Sequence, residues 1–150
     1  MKRGTQTTVP ATSGSDALLH IFGGLNLVTG TVVATFAHQR NSDSFIAFLE
    51  ELMLHAYPQQ AVYLVLDNAS FHRSASAQAA ISLFEPRLQV FWLPPYTPEL
   101  NPIEPYWRYM KTQACGNRTF KNIAEVEAAV RQVLTRQNDY HTPDRYHLSS

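Results

Sequence analysis

Cysteine occurs once in the 150 residues, at Cys115, which excludes an internal disulfide and any cysteine-rich zinc site. Long apolar runs are missing too. No stretch approaches the ~18 residues that a membrane span needs, and Met1-Lys2-Arg3 is followed by Gly, Thr, Gln and Pro where an export signal has an apolar core. The chain is therefore expected to be soluble and cytoplasmic, without a membrane partner. Net charge is also absent, with 12 basic residues against 12 acidic ones, which argues against a nucleic-acid attraction spread over the whole surface. Acidic residues are missing from residues 1–15 and again from 105–121. The second interval holds Arg108, Lys111, Arg118 and Lys121, a local basic stripe that also suits a plain solvated face. What is present, 45% apolar and 16% charged residues, describes one globular domain able to bury ~70% of its unfolded surface.

Residues 1–16 are polar and rich in Gly, Ser, Thr and Pro, and read as loop. Leu18 to Leu27 and Thr31 to Phe36 are β-prone runs around Val28-Thr29-Gly30, which predicts a hairpin. Asn41 or Ser42 can cap a helix carrying Phe45, Phe48, Leu49, Leu52 and Met53 at helical spacing, closed by Pro58. A strand from Val62 ends at Asp67. A helix over Ser74 to Phe84 stops at Glu85-Pro86, and a second strand spans Leu88 to Leu93. A further helix begins between Asn101 and Pro105 and runs to about Ala114. The last is announced by Asn122 and Glu125, a variant capping box, and buries Ile123, Val126, Val130, Val133 and Leu134. This order predicts a mixed α/β sheet flanked by helices. Residues 1–137 form the domain and 138–150 a polar tail.

Two segments carry the chemistry. Val62 to Leu66 is an apolar strand ending in a carboxylate, at the place where open α/β sheets hold ligands. Leu93-Pro94-Pro95-Tyr96-Thr97-Pro98-Glu99-Leu100-Asn101-Pro102-Ile103-Glu104 leaves a strand and enters a helix whose first turn carries another. If the two strands are neighbours, Asp67 and Glu104 emerge at one end of the sheet and can share a hard cation such as Mg²⁺. Each acid also has a local reading. Asp67-Asn68 suits a turn at a strand end. Glu104 suits a capping box on Asn101 and an ion pair with Arg108. Against the capping box stands Pro105, which in that register falls where an amide hydrogen is wanted, so a later helix start leaves Glu104 freer. Asn68 and Asn101 are candidates to orient the acids by hydrogen bonds, and His72 to support the site. Trp107 and Met110 share a stripe with Ile103 and read as core.

The strings Leu-Val-Leu-Asp-Asn-Ala-Ser-Phe-His at 64–72 and Leu-Pro-Pro-Tyr-Thr-Pro-Glu-Leu-Asn-Pro-Ile-Glu at 93–104, with Trp107 and Lys111, closely resemble the DDE transposases of the mariner-like insertion-sequence superfamily. The resemblance extends from about Lys2 to Leu134 and includes Gly23-Gly24-Leu25-Asn26. It implies an RNase H-like fold, and an Asp, Asp, Glu triad holding two Mg²⁺ or Mn²⁺ ions for DNA cleavage and strand transfer. Carried across, Asp67 matches the second acid and Glu104 the third. Arg108, Lys111, Arg118 and Lys121 become candidates for contact with DNA, both transposon ends and target.

The family's first acid stands on an initial strand in the middle of the sheet, and here only a polar stretch precedes the hairpin. The fold is therefore expected to lack that central strand, as in an N-terminally truncated or frame-split transposase. A complete triad is not expected within the chain. Two functions follow from this. In one, the chain is the C-terminal part of a transposase catalytic domain, working as an oligomer once an upstream segment or a full-length transposase supplies the missing acid. In the other it is a catalytically dead remnant that at most binds DNA or transposase.

Overall fold

A computed structural model describes residues 2–10 as backbone, and 18–95 and 100–141 with their side chains. Five strands form one sheet in the order β3-β2-β1-β4-β5. β2 (Leu18–Asn26) runs antiparallel to both of its neighbours, β1 (Lys2–Pro10) and β3 (Val32–Ala37), and β4 (Val62–Leu66) lies parallel to β1 and to β5 (Leu88–Trp92). Four helices flank it: α1 (Ser42–Glu50), extended by a wider π-type turn over Glu51–Ala56, α2 (Ala75–Phe84), α3 (Ile103–Cys115) and α4 (Ile123–His141).

The expected gap at the centre of the sheet is filled. Residues 2–10, expected to be loop, form the strand between the hairpin and β4. The physical reason lies in Thr5, Thr7, Thr8 and Val9, β-branched residues that favour extended backbone. Threonine had counted toward loop composition, and no apolar run announced a strand. Pro10, at its last position, pairs with Leu18, beyond the stretch where β4 pairs, which is where a sheet tolerates proline.

The sheet separates two cores. Along β2, Leu19 and Ile21 face α3 and α4 while Phe22 faces α1 and α2, the alternation of a pleated strand. Val62, Leu64 and Leu66 of β4 join Phe45, Phe48, Leu49 and Ile81 on the second face. Trp107, Met110 and Val130 fill the first. Trp107 lies directly over Gly23, where a Cβ would overlap the indole ring. That contact seats α3 on the sheet.

Helix ends follow the sequence closely. The Asn41 side chain accepts the Ser44 amide at 3.0 Å, and Ser74 caps α2 through the Ala77 amide at 3.2 Å. Asn122 caps α4 through the Glu125 amide at 3.0 Å, while Glu125 reaches back to the Lys121 amide at 2.8 Å. α4 continues through Asn138, where the sequence suggested the start of a tail. The Asn138 side-chain amide accepts the Val32 N–H at 2.7 Å and donates to the Val32 carbonyl at 2.9 Å, so it pairs with edge strand β3 as a neighbouring strand would. Asn138→Ala leaves both backbone groups without these partners and is expected to cost about 1–3 kcal/mol. Denaturant unfolding measures that loss.

Candidate active site at the carboxyl rim of the sheet

β4 pairs with β1 on one side and β5 on the other, and Asp67 is the first residue beyond its end. Its Oδ1 accepts the Ala69 amide at 3.1 Å, the turn that Asp67-Asn68 suggested. The same oxygen lies 3.1 Å from Nδ1 of His72, which also stands 3.3 Å from the Asp67 carbonyl oxygen. His72 is buried, its ring 4.5 Å from those of both Phe45 and Phe71. A proton on Nδ1 would be donated to the Asp67 carboxylate, fixing that side chain from below. The Asp67 side chain keeps 37% of its exposure, while Asn68 is exposed.

Glu104 arrives from the other layer. The Leu93 amide donates to the Leu66 carbonyl at 2.8 Å, so the chain leaves β5 beside Asp67. Helix α3 starts at Ile103, later than a cap at Asn101 would give, which puts Glu104 and Pro105 in its first turn, where amide hydrogens have no partner within the helix. Buried Asn101 organises this entry: its Oδ1 accepts the Ile103 amide at 3.3 Å and its carbonyl the Glu104 amide at 3.1 Å. Its side-chain nitrogen is buried with no hydrogen-bond partner among the described residues.

The two acids sense each other. Burial holds the Glu104 carboxyl above the ordinary carboxylate range, and the negative charge of Asp67 raises it further, while Lys111 and Arg108 pull it back. Two carboxylates in electrostatic reach at one rim, one of them protonated more readily than usual, form a site where a cation would relieve repulsion.

The rest of the basic stripe divides. Arg118 lies beyond the far end of α3, ~17 Å along the axis from Glu104 at 1.5 Å per residue. It donates to the Ala114 carbonyl at 3.3 Å and covers the Phe120 ring. The Lys121 amide serves the Glu125 contact. Trp107 and Met110 are core, as their spacing indicated. Two cations on the layer of α1 and α2 were not singled out by the sequence: Arg73 lies over the Trp92 ring at 4.2 Å, and Arg40 over Phe71 at 6.0 Å.

Comparison with solved structures gives the fold. The catalytic domain of the Mos1 mariner transposase matches with a TM-score of 0.74 at 14% identity, covering 93% of this chain and 72% of that one. The HTLV-2 integrase catalytic core domain in complex with magnesium matches with a TM-score of 0.64 at 12% identity, covering 89% and 80%. The sheet is thus RNase H-like. In sequence, the insertion element IS630 uncharacterized 39 kDa protein of Shigella sonnei is 25% identical over 132 residues, 88% of this chain and 38% of that protein. The uncharacterized protein y4pE/y4sA of Sinorhizobium fredii is 32% identical over 63 residues, 42% of this chain and 43% of that protein. The chain spans less than half the length of these curated relatives. The family model for the DDE superfamily endonucleases matches residues 1–127, and the chain belongs to that family.

Proposed function

We propose that the chain is part of the catalytic domain of a transposase that cleaves DNA and joins strands in transposition and integration, with Asp67 and Glu104 as its second and third acids. The observation that carries this reading is geometric: β4 ends at Asp67 beside the exit of β5, and the chain from that exit enters α3 with Glu104 in its first turn, within electrostatic reach of Asp67. His72 and Asn101 position them, and Arg108 and Lys111 face DNA phosphates. IS630 and Mos1 relatives support DNA as the substrate, and the Mos1 catalytic domain with Mn and the HTLV-2 core with magnesium support a divalent cation.

The donor set fits one such ion. Mg²⁺ takes one or two carboxylates and completes its shell with waters and substrate phosphates, and Asp67 with Glu104 supplies that much. Among the described residues no group of three His, Cys, Asp or Glu side chains converges, so a paired-ion site needs another carboxylate. Asp67 and Glu104 would hold the ion, and its chemistry when bound would be activation of a water or DNA 3′-hydroxyl nucleophile and stabilisation of the leaving oxygen.

The missing carboxylate belongs on the strand beside Asp67. The register of β1 against β4 pairs Gly4 with Leu66, so the next step sets Thr5 beside Asp67, and residues 2–10 contain no Asp or Glu. This observation favours a second reading, in which the chain is a dead remnant that binds DNA or a complete transposase. Incubation of the chain with Mn²⁺ and supercoiled plasmid separates the two. No nicking by the chain alone is expected, and nicking by Thr5→Asp or by a mixture with an acid-bearing partner supports the catalytic reading. Nicking that survives Asp67→Asn would overturn the site.

A further inference from the structure

We infer that Arg73, placed over Trp92, with Arg40 farther along the same layer, forms a second cationic lip of the rim that grips the phosphates of duplex DNA opposite Arg108 and Lys111. The inference rests on DNA being the substrate and adds the residues that hold it from the other side.

Register places this lip. Trp92 pairs with Leu66, the residue before Asp67, so the ring stands one strand over, ~4.8 Å away in the sheet. The Arg73 guanidinium lies 4.2 Å from that ring's centre. Trp92 packs in the core shared with α1 and α2, whereas Glu104, Arg108 and Lys111 ride on α3 in the opposite layer. Cations therefore stand on both layers, with the two acids at the rim between them. A DNA backbone crossing Asp67 meets positive charge on each side.

The segment carrying Arg73 is fixed. One residue before it, His72 is buried between Phe45 and Phe71. One residue after it, Ser74 caps α2 and its hydroxyl lies 2.6 Å from that of Ser42 on α1. The Arg73 amide itself donates to the Ser70 carbonyl at 3.1 Å. Between these anchors the Arg73 side chain is exposed, and no ion pair among the described residues engages it. An arginine held flat on an aromatic ring has lost much of its freedom before any ligand arrives, yet leaves its edge donors for phosphate oxygens. Arg40, 6.0 Å from the Phe71 ring centre, extends the lip, and its charge helps hold His20 below the ordinary histidine range, after burial.

Fluorescence anisotropy of the full chain with short labelled duplexes of two unrelated sequences tests this. Arg73→Gln is expected to weaken binding several-fold on both duplexes and to lower the slope of log affinity against log salt by about one, as loss of one phosphate contact does. Arg73→Lys should keep the slope and lose part of the affinity. Lys111→Gln is the parallel probe of the α3 lip. If Lys111→Gln weakens binding and Arg73→Gln does not, the second lip is refuted while the DNA reading stands. If Arg73→Gln lowers the melting temperature and leaves affinity and slope unchanged, Arg73 merely covers Trp92, and the inference also fails. Wild-type chain with no salt-dependent affinity for either duplex would remove the DNA reading and the lip with it.

Discussion

Asp67→Asn or Glu104→Gln should abolish cleavage by an assembly in which another strand supplies the first acid, with a loss of at least about 10²-fold, the scale on which one element of a preorganised electrostatic site counts. Both changes nearly preserve volume, so the loss reports charge. Mn²⁺ is expected to raise the melting temperature of the wild-type chain, and the same variants should lose that rise, since a ligand stabilises only the state that binds it. Nicking assays and thermal melts with and without Mn²⁺ read the two effects separately.

The metal-free protein adds a sign that ordinary structural damage would not give. Glu104 is held above the ordinary carboxylate range by burial and then by Asp67. Between its ordinary and raised values the folded chain holds more protons than the unfolded one, so stability falls as pH rises through that window. The penalty is absent below the ordinary carboxylate range and fully present at neutral pH. Glu104→Gln should therefore raise the melting temperature at neutral pH without metal and flatten its fall between acid and neutral pH. Asp67→Asn should bring the Glu104 titration down toward its ordinary value, as followed by NMR. Loss of metal response together with gain of metal-free stability marks a site kept for function against stability.

Much of this rim could be read from local signals. Apolar Val62 to Leu66 ending in an acid gave β4 and Asp67, and Pro105 argued for the late start of α3 that leaves Glu104 in its first turn. Their meeting depends on β4 and β5 being neighbours, a condition that local signals leave open and the pairing of Leu66 with Trp92 fulfils. β1 was illegible for another reason: Lys2–Pro10 has no apolar periodicity, and its strand character comes from β-branched threonines and from partners on both sides. Arg73 escaped notice because its partner Trp92 is remote in sequence and is brought close by sheet register. The basic stripe shows the opposite relation, since residues adjacent in sequence, Arg108 and Arg118, are set apart along a helix axis. Local chemistry thus survives translation into structure where one element carries it, and is lost where two must meet.

Gly23→Val should destabilise the fold strongly, because the Trp107 ring already fills the space that a side chain on Gly23 would take. A Cβ on Gly23 would overlap the Trp107 ring, and behind that ring stand Ile103 and Met110, both fully buried. Neither partner can withdraw easily: Gly23 is in β2, paired on both sides, and Trp107 is held on a helix whose face is core. Overpacking of this kind costs about 1–3 kcal/mol and sometimes more. Trp107→Ala is expected to cost about 3–5 kcal/mol by opening a cavity. The two losses should not add. In Gly23→Ala with Trp107→Phe, the smaller ring should make room for the new methyl, leaving the double variant more stable than the sum of the single ones, a coupling that a double-mutant cycle of unfolding free energies measures. Additive losses would mean that α3 is not seated through this contact. Because α3 also carries Glu104, Gly23→Ala should weaken Mn²⁺ binding beyond what its stability loss explains, and Trp107→Phe should restore it. A glycine two strands from Asp67, with no side chain to offer a metal, would then have its function in placing Glu104.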